Sequence, residues 1–159
     1  MSEHARLPQW MRRSAPDPEN LASMKMMLDG LQLHTVCESA DYPNQGEFFA
    51  RGTATFMILG DVCTRNCKYC AVKSGRPGPV DDAEPEHMVE AIKKLGLRHV
   101  VITSVTRDDL DDGGAHQFVR CIEAIREYDP AVTVEVLIPD FKGSLPPLKS
   151  VLDSEPTIL

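Results

Sequence analysis

Apolar residues recur along this chain with two periods in turn, one of amphipathic helices and one of buried strands. Leu21, Met24, Leu28 and Leu31 fall at helical spacing behind Asp17-Pro18. This predicts a helix with Asp17 as N-cap and Pro18 in its first turn, ending at Gly30. Thr53-Ala-Thr-Phe-Met-Ile-Leu59 reads as a buried strand, and Gly60-Asp61 turns it outward. Met88, Val89, Ile92 and Leu95 predict a second helix, opened by Glu84-Pro85 and closed by Gly96. Residues 98–103 form a second strand, consecutively apolar as buried parallel strands are. Phe118, Cys121, Ile122 and Ile125 mark a helix over about 115–128, and residues 133–138 a third strand. A short helix follows Pro146-Pro147, and Thr157 to Leu159 begins a fourth strand.

Strand and helix in strict alternation predict an α/β fold with a parallel sheet. Right-handed crossovers then bring the loops at 63–70, 104–114 and 140–143 to one edge. A whole β/α barrel takes roughly 200 residues or more, so the expectation is a partial, incomplete barrel. Residues 1–51 would form an N-terminal arm, helix and loop, and residues 52–159 the barrel portion. Within the first part, residues 1–16 read as an extended arm pinned by Trp10 and Met11. Met24, Met26 and Met27 read as core packing, and the stretch after Leu33, with Pro43, Asn44 and Gly46, as a loop.

Composition narrows the class. With 42% hydrophobic and 26% charged residues over 159 positions, the chain is an ordinary globular protein with a real core. No apolar run approaches a membrane span, and the first residues lack the apolar region of a signal peptide. A cytoplasmic location without membrane association is expected. The net charge of −7 argues against a general nucleic-acid binder. The basic residues Arg12, Arg13, Arg65, Lys68, Lys73 and Arg76 read as a solvated face.

The chemistry is concentrated in Cys63-Thr-Arg-Asn-Cys67-Lys-Tyr-Cys70. Three thiols at C-x₃-C-x₂-C spacing can each hold one iron of a [4Fe-4S] cluster, leaving the fourth iron without a protein ligand from the motif. Structural zinc normally takes four ligands, commonly in paired short spacings. Five cysteines without a signal peptide do not describe a disulfide scaffold. Cys121, on the apolar face of a helix, reads as core. Cys37 is either a small buried residue or a further metal ligand, since its loop runs directly into the strand that carries the motif.

The spacing resembles that of radical S-adenosylmethionine (radical SAM) enzymes. In these, S-adenosylmethionine chelates the open iron, and an electron from the cluster cleaves it to a 5′-deoxyadenosyl radical. Tyr69 matches the aromatic that this family carries near the adenine. The likeness sharpens over Leu33-His-Thr-Val-Cys37, Gly52 to Cys67, Ile102-Thr-Ser-Val, Arg107-Asp-Asp-Leu, Asp112-Gly-Gly-Ala and Val136-Leu-Ile-Pro-Asp-Phe. In these words the chain resembles lipoyl synthase over almost its whole length. The resemblance implies sulfur insertion at two carbons of a protein-bound octanoyl chain. An octanoylated carrier protein or lipoyl domain and an electron donor would be the partners. It also implies that Thr103, Ser104, Arg107 and Asp108 lie near the methionyl part of the cofactor.

The chain departs from that family at two places. Members bind a second, auxiliary cluster, the sulfur donor, through a C-x₄-C-x₅-C motif that would begin at Cys37. Here the second and third positions are Tyr42 and Phe48, and neither replaces a thiolate. Members also continue through further barrel strands, so an incomplete S-adenosylmethionine pocket is expected here. The auxiliary cluster is expected to be absent or badly held, and the chain alone to make no lipoyl groups. Two other readings stand beside this one. One is a non-catalytic iron–sulfur module or one half of a split barrel. The other is a closed site in which Cys37 joins Cys63, Cys67 and Cys70.

Overall fold

The computed structural model describes residues 18–36 and 53–159. A four-stranded sheet is its frame, with helix α1 (Pro18–Gly30) and strand β1 (His34–Thr35) leading into β2 (Thr53–Ile58). A short parallel pair, β3 (Val62–Cys63) and β4 (Lys73–Ser74), brackets the cysteine motif. Then come α2 (Glu84–Leu95), β5 (His99–Ser104), α3 (Ala115–Tyr128), β6 (Thr133–Leu137) and α4 (Leu145–Asp153). The strand order is β1-β2-β5-β6, with β2, β5 and β6 parallel and β1 antiparallel at the edge. Ile158 adds a parallel bridge to Glu135, where the sequence predicts a fourth strand. An α/β fold with a mainly parallel sheet is the architecture of a partial β/α barrel.

Strand alternation decides which residues fill the core. Phe56, Ile58, Val100, Ile102, Val134 and Val136 share one side and are buried with Met88 and Ile92 of α2, Phe118, Ile122 and Ile125 of α3, and Val151 of α4. Cys121 is wholly buried among them, as its helical spacing predicts. On the other side, Thr55, Thr103 and Glu135 are only half-buried, and His99 meets Glu135 at 3.0 Å. This second side corresponds to the inside of a barrel.

Two expectations need correction. Met26 is 75% exposed, whereas Met24 and Met27 pack against the core. Three methionines within four positions cannot all lie on one helical stripe. His34 and Thr35, expected in a loop, pair with Met57 and Phe56 and cover the free edge of β2. A two-residue strand shows too little alternation to be read from sequence. Lys73-Ser74 forms a parallel ladder with Val62-Cys63. The N-terminal arm, Asp17, Cys37, Tyr42 and Phe48 lie outside the described residues.

Candidate metal centre

The motif begins where β2 ends. Leu59 takes φ 69° and Gly60 φ 91°, so the chain bends through the left-handed region into β3. That conformation is ordinary for glycine and costly for leucine. Cys63 sits in β3, half-buried, and its Sγ accepts hydrogen bonds from the N–H groups of Arg65 at 3.4 Å and Thr106 at 3.3 Å. Cys67 and Cys70 are exposed on a tight turn, in which the N–H of Cys70 donates to the Cys67 carbonyl. Tyr69, between them, is 93% exposed.

The loop after β5 is sewn onto this motif. The Thr64 N–H and hydroxyl both donate to the Thr106 carbonyl, at 3.0 and 2.9 Å, and the Asp108 N–H donates to the Thr64 hydroxyl at 3.1 Å. Arg65 then spans three loops. Its guanidinium meets Asp108 through Nε and Nη2 (2.7 and 2.9 Å) and Asp140 through Nη1 and Nη2 (2.8 and 2.9 Å). Two bidentate carboxylates match both edges of its planar fork. Hydrogen bonds from Arg65 hold the Asp108 carboxyl below the ordinary range and lower that of Asp140 to about 2. Arg65 is therefore not a solvated charge, as the basic residues read in sequence. Lys73, by contrast, is exposed, 3.6 Å from Asp61.

Arg107 points the other way, into the protein, with 3% of its side chain exposed. It donates to the carbonyls of Leu59 (3.3 Å) and Gly78 (3.0 Å) and is paired with Asp109 at 2.9 Å. Thr103 spends its hydroxyl on the Leu137 carbonyl at 3.0 Å. The Ser104 hydroxyl is buried and, among the described residues, without a hydrogen-bond partner. Thr103, Ser104, Arg107 and Asp108 thus share one segment beside the cysteine loop, but Arg107 and Asp108 already hold protein partners. The roles of Arg65 and Asp140 were not foreseen from the sequence. The available signal was an arginine between motif cysteines with acids in the two following βα loops.

A sequence model of the radical SAM superfamily matches residues 57–152. The chain belongs to the radical SAM superfamily. The N-terminal domain of lipoyl synthase of the radical SAM family matches residues 1–41. Relatives include the lipoyl synthase of Laribacter hongkongensis, 49% identical over 98% of this chain and 50% of the relative. That of Thiobacillus denitrificans is 53% identical over 97% of this chain and 50% of its own length. That of Caldanaerobacter subterraneus subsp. tengcongensis is 50% identical over 97% and 54%. The chain spans about half the length of the curated relatives it matches.

Radical SAM membership implies a [4Fe-4S] cluster and S-adenosylmethionine, and the donor set can be tested against the cluster. Among the described residues, no three His, Cys, Asp or Glu side chains converge as a single metal ion would require. A cluster asks for something different, one thiolate at each of three separate irons. Cys63, Cys67 and Cys70 are free thiols on one short loop, and two of them are exposed. Cys63 is already hydrogen-bonded at sulfur. In its chemistry the donor set fits an iron–sulfur cluster better than a mononuclear site. No helix among the described residues is long and apolar enough to cross a membrane.

Proposed function

We propose that this chain is the cluster-bearing half of a lipoyl synthase-type radical SAM enzyme, and that Cys63, Cys67 and Cys70 hold its [4Fe-4S] cluster. The observation that carries this reading is the loop of free thiols, hydrogen-bonded at Cys63 and joined to the β5 loop by Thr64, Thr106 and Arg65. When bound, such a cluster supplies an electron at an open iron to chelated S-adenosylmethionine. The residues of the chain do the positioning. The N–H groups of Arg65 and Thr106 fix the place of the Cys63 sulfur, and the Arg65 side chain holds the motif against the loops after β5 and β6. The Ser104 hydroxyl, unpartnered among the described residues, and the exposed Tyr69 are the groups left available to a nucleotide cofactor.

The family reaction is sulfur insertion into an octanoyl chain on a carrier protein or lipoyl domain, fed by an electron donor in the cytoplasm. Tyr42 and Phe48 stand where two auxiliary-cluster thiols are expected. Without that second source of sulfide, a substrate radical has no sulfur to combine with. This chain by itself therefore binds one cluster and does not complete lipoyl formation. Anaerobic reconstitution tests both parts. About four iron and four sulfide per chain are expected, and iron near zero in the Cys63→Ser, Cys67→Ser and Cys70→Ser variants. Lipoylated product from the purified chain would contradict the reading of Tyr42 and Phe48, and cluster-free protein would contradict the whole.

A further inference from the structure

Leu59 is the last residue before the chain leaves the sheet for the cysteine loop, and three separate elements grip it. Its N–H donates to both carboxylate oxygens of Glu84, at 3.0 and 3.2 Å, from the first turn of α2. Its carbonyl accepts from Arg107, in the loop after β5, at 3.3 Å. Its side chain fills a notch at Gly114, where an added Cβ would stand 2.3 Å from Leu59 Cδ1. Glu84 is itself buried, 4% exposed, and is anchored by Gln117 Nε2 at 2.9 Å. A buried carboxylate on a backbone amide is a costly device for closing a turn that a glycine would adopt unaided. Strain of this kind persists only where the surroundings over-determine it.

We infer that Glu84 and Arg107 are positioning residues for the metal centre. Acting as a two-armed clamp on the Leu59 peptide, they fix the direction in which β2 delivers Cys63, Cys67 and Cys70. Neither residue needs to touch the cluster or its cofactor. Burial raises the Glu84 carboxyl above the ordinary range, as expected for a charge held inside for its hydrogen bonds. The inference gives Arg107 a task other than contact with S-adenosylmethionine, and places Glu84 in the machinery although it lies 21 residues beyond Cys63. It rests on the proposal that the three thiols hold a cluster.

The test is iron retention by the full chain against a chelator after anaerobic reconstitution. It is read together with the melting temperature of the metal-free protein and the electron paramagnetic resonance spectrum of the reduced cluster. Glu84→Ala should retain iron about tenfold less well than the unaltered chain. Glu84→Gln keeps an oxygen acceptor for the Leu59 N–H and should restore most of the retention. The decisive variant is Leu59→Gly combined with Glu84→Ala. Glycine adopts the positive φ without a clamp, so this double variant should hold iron better than Glu84→Ala although it removes a buried side chain. Met88→Ala, in the same helix and core, should lower the melting temperature while leaving retention and spectrum unchanged.

If Glu84→Ala cannot be isolated folded, Arg107→Gln with and without Leu59→Gly decides in the same way. Equal iron retention and an identical spectrum in the clamp variants would overturn the inference. So would failure of Leu59→Gly to recover retention, or an equal loss of iron in Met88→Ala. If the unaltered chain takes up no iron, the functional proposal falls and takes this inference with it. If the unaltered chain loads and the clamp variants load equally, the clamp alone falls.

Discussion

Removal of the Arg65 guanidinium isolates the contact that joins the cysteine motif to the rest of the edge. Arg65 and Asp108 meet through two parallel hydrogen bonds of 2.7 and 2.9 Å, with 31% and 27% of their side chains exposed. Coupling between exposed ion pairs is about 0.2–1 kcal/mol, and a bidentate, charge-assisted pair belongs near the top of that range. Partial exposure keeps it there and no higher, because solvent still screens both groups. A double-mutant cycle of Arg65→Ala, Asp108→Ala and their combination should therefore give a coupling of about 1 kcal/mol at low salt. For a domain of this size that corresponds to roughly 2–4 °C in melting temperature. Urea unfolding of the metal-free chain supplies the four free energies. At 1 M salt the screening length falls to about 3 Å, and the coupling should drop to half or less. A coupling below about 0.3 kcal/mol at low salt, the usual additivity error, would mean that Arg65 does not fasten these loops in solution. A coupling indifferent to salt would show that packing of the side chains, and not charge, joins them.

The carboxylates of Asp108 and Asp140 are held below their ordinary range by Arg65, that of Asp140 at about 2. Their contribution is thus present above the unfolded-state value near about 4 and lost as pH falls through the folded values. The melting-temperature gap between the unaltered chain and Arg65→Ala should close between about pH 4 and pH 2, and a constant gap would refute the linkage. Glu84, raised by burial, has the opposite sign, its contribution fading as pH rises, but it is common to both proteins and cancels in the difference. Cys121 is buried in the core, and desolvation pushes its thiol up. Cys121→Ser should therefore cost about 1–3 kcal/mol, the desolvation of an unpaired hydroxyl, and leave the iron content unchanged. Loss of iron in that variant would give Cys121 a role that its place on α3 does not.

Period carried most of the fold. Phe118, Cys121, Ile122 and Ile125 announce α3, and the consecutive apolar residues of β5 announce a buried parallel strand, because burial on one helix face or both strand faces writes itself into spacing. His34-Thr35 and Lys73-Ser74 left no such trace, since two residues make no period. The site was legible in part, for a related reason. Thiol spacing is local, so Cys63, Cys67 and Cys70 could be singled out from eight residues of sequence. What fastens them is not local. Arg65 reaches Asp108 and Asp140 across 43 and 75 positions, and Glu84 reaches Leu59 across 25. Arg65 read as a solvated charge and Glu84 only as the start of a helix until the crossovers of the sheet brought the loops together.

The two sets of contacts hold the motif at its entrance and within it, and their physics differs. At the entrance, Leu59 is held by buried groups, Glu84 and Arg107, whose hydrogen bonds have no water to compete with and would be costly to break. Further along, Arg65 is held by half-exposed carboxylates, each contact worth little and open to screening. The entrance is therefore stiff and the cysteine turn comparatively yielding, with Cys67 and Cys70 the exposed pair and Cys63 the better-held sulfur. A loop built in this order would offer a cluster one well-held thiol, Cys63, and two more exposed ones, Cys67 and Cys70. On this view the left-handed leucine belongs with the proposed metal centre, because the strain at one peptide is what turns the chain out of the sheet and into the cysteine loop.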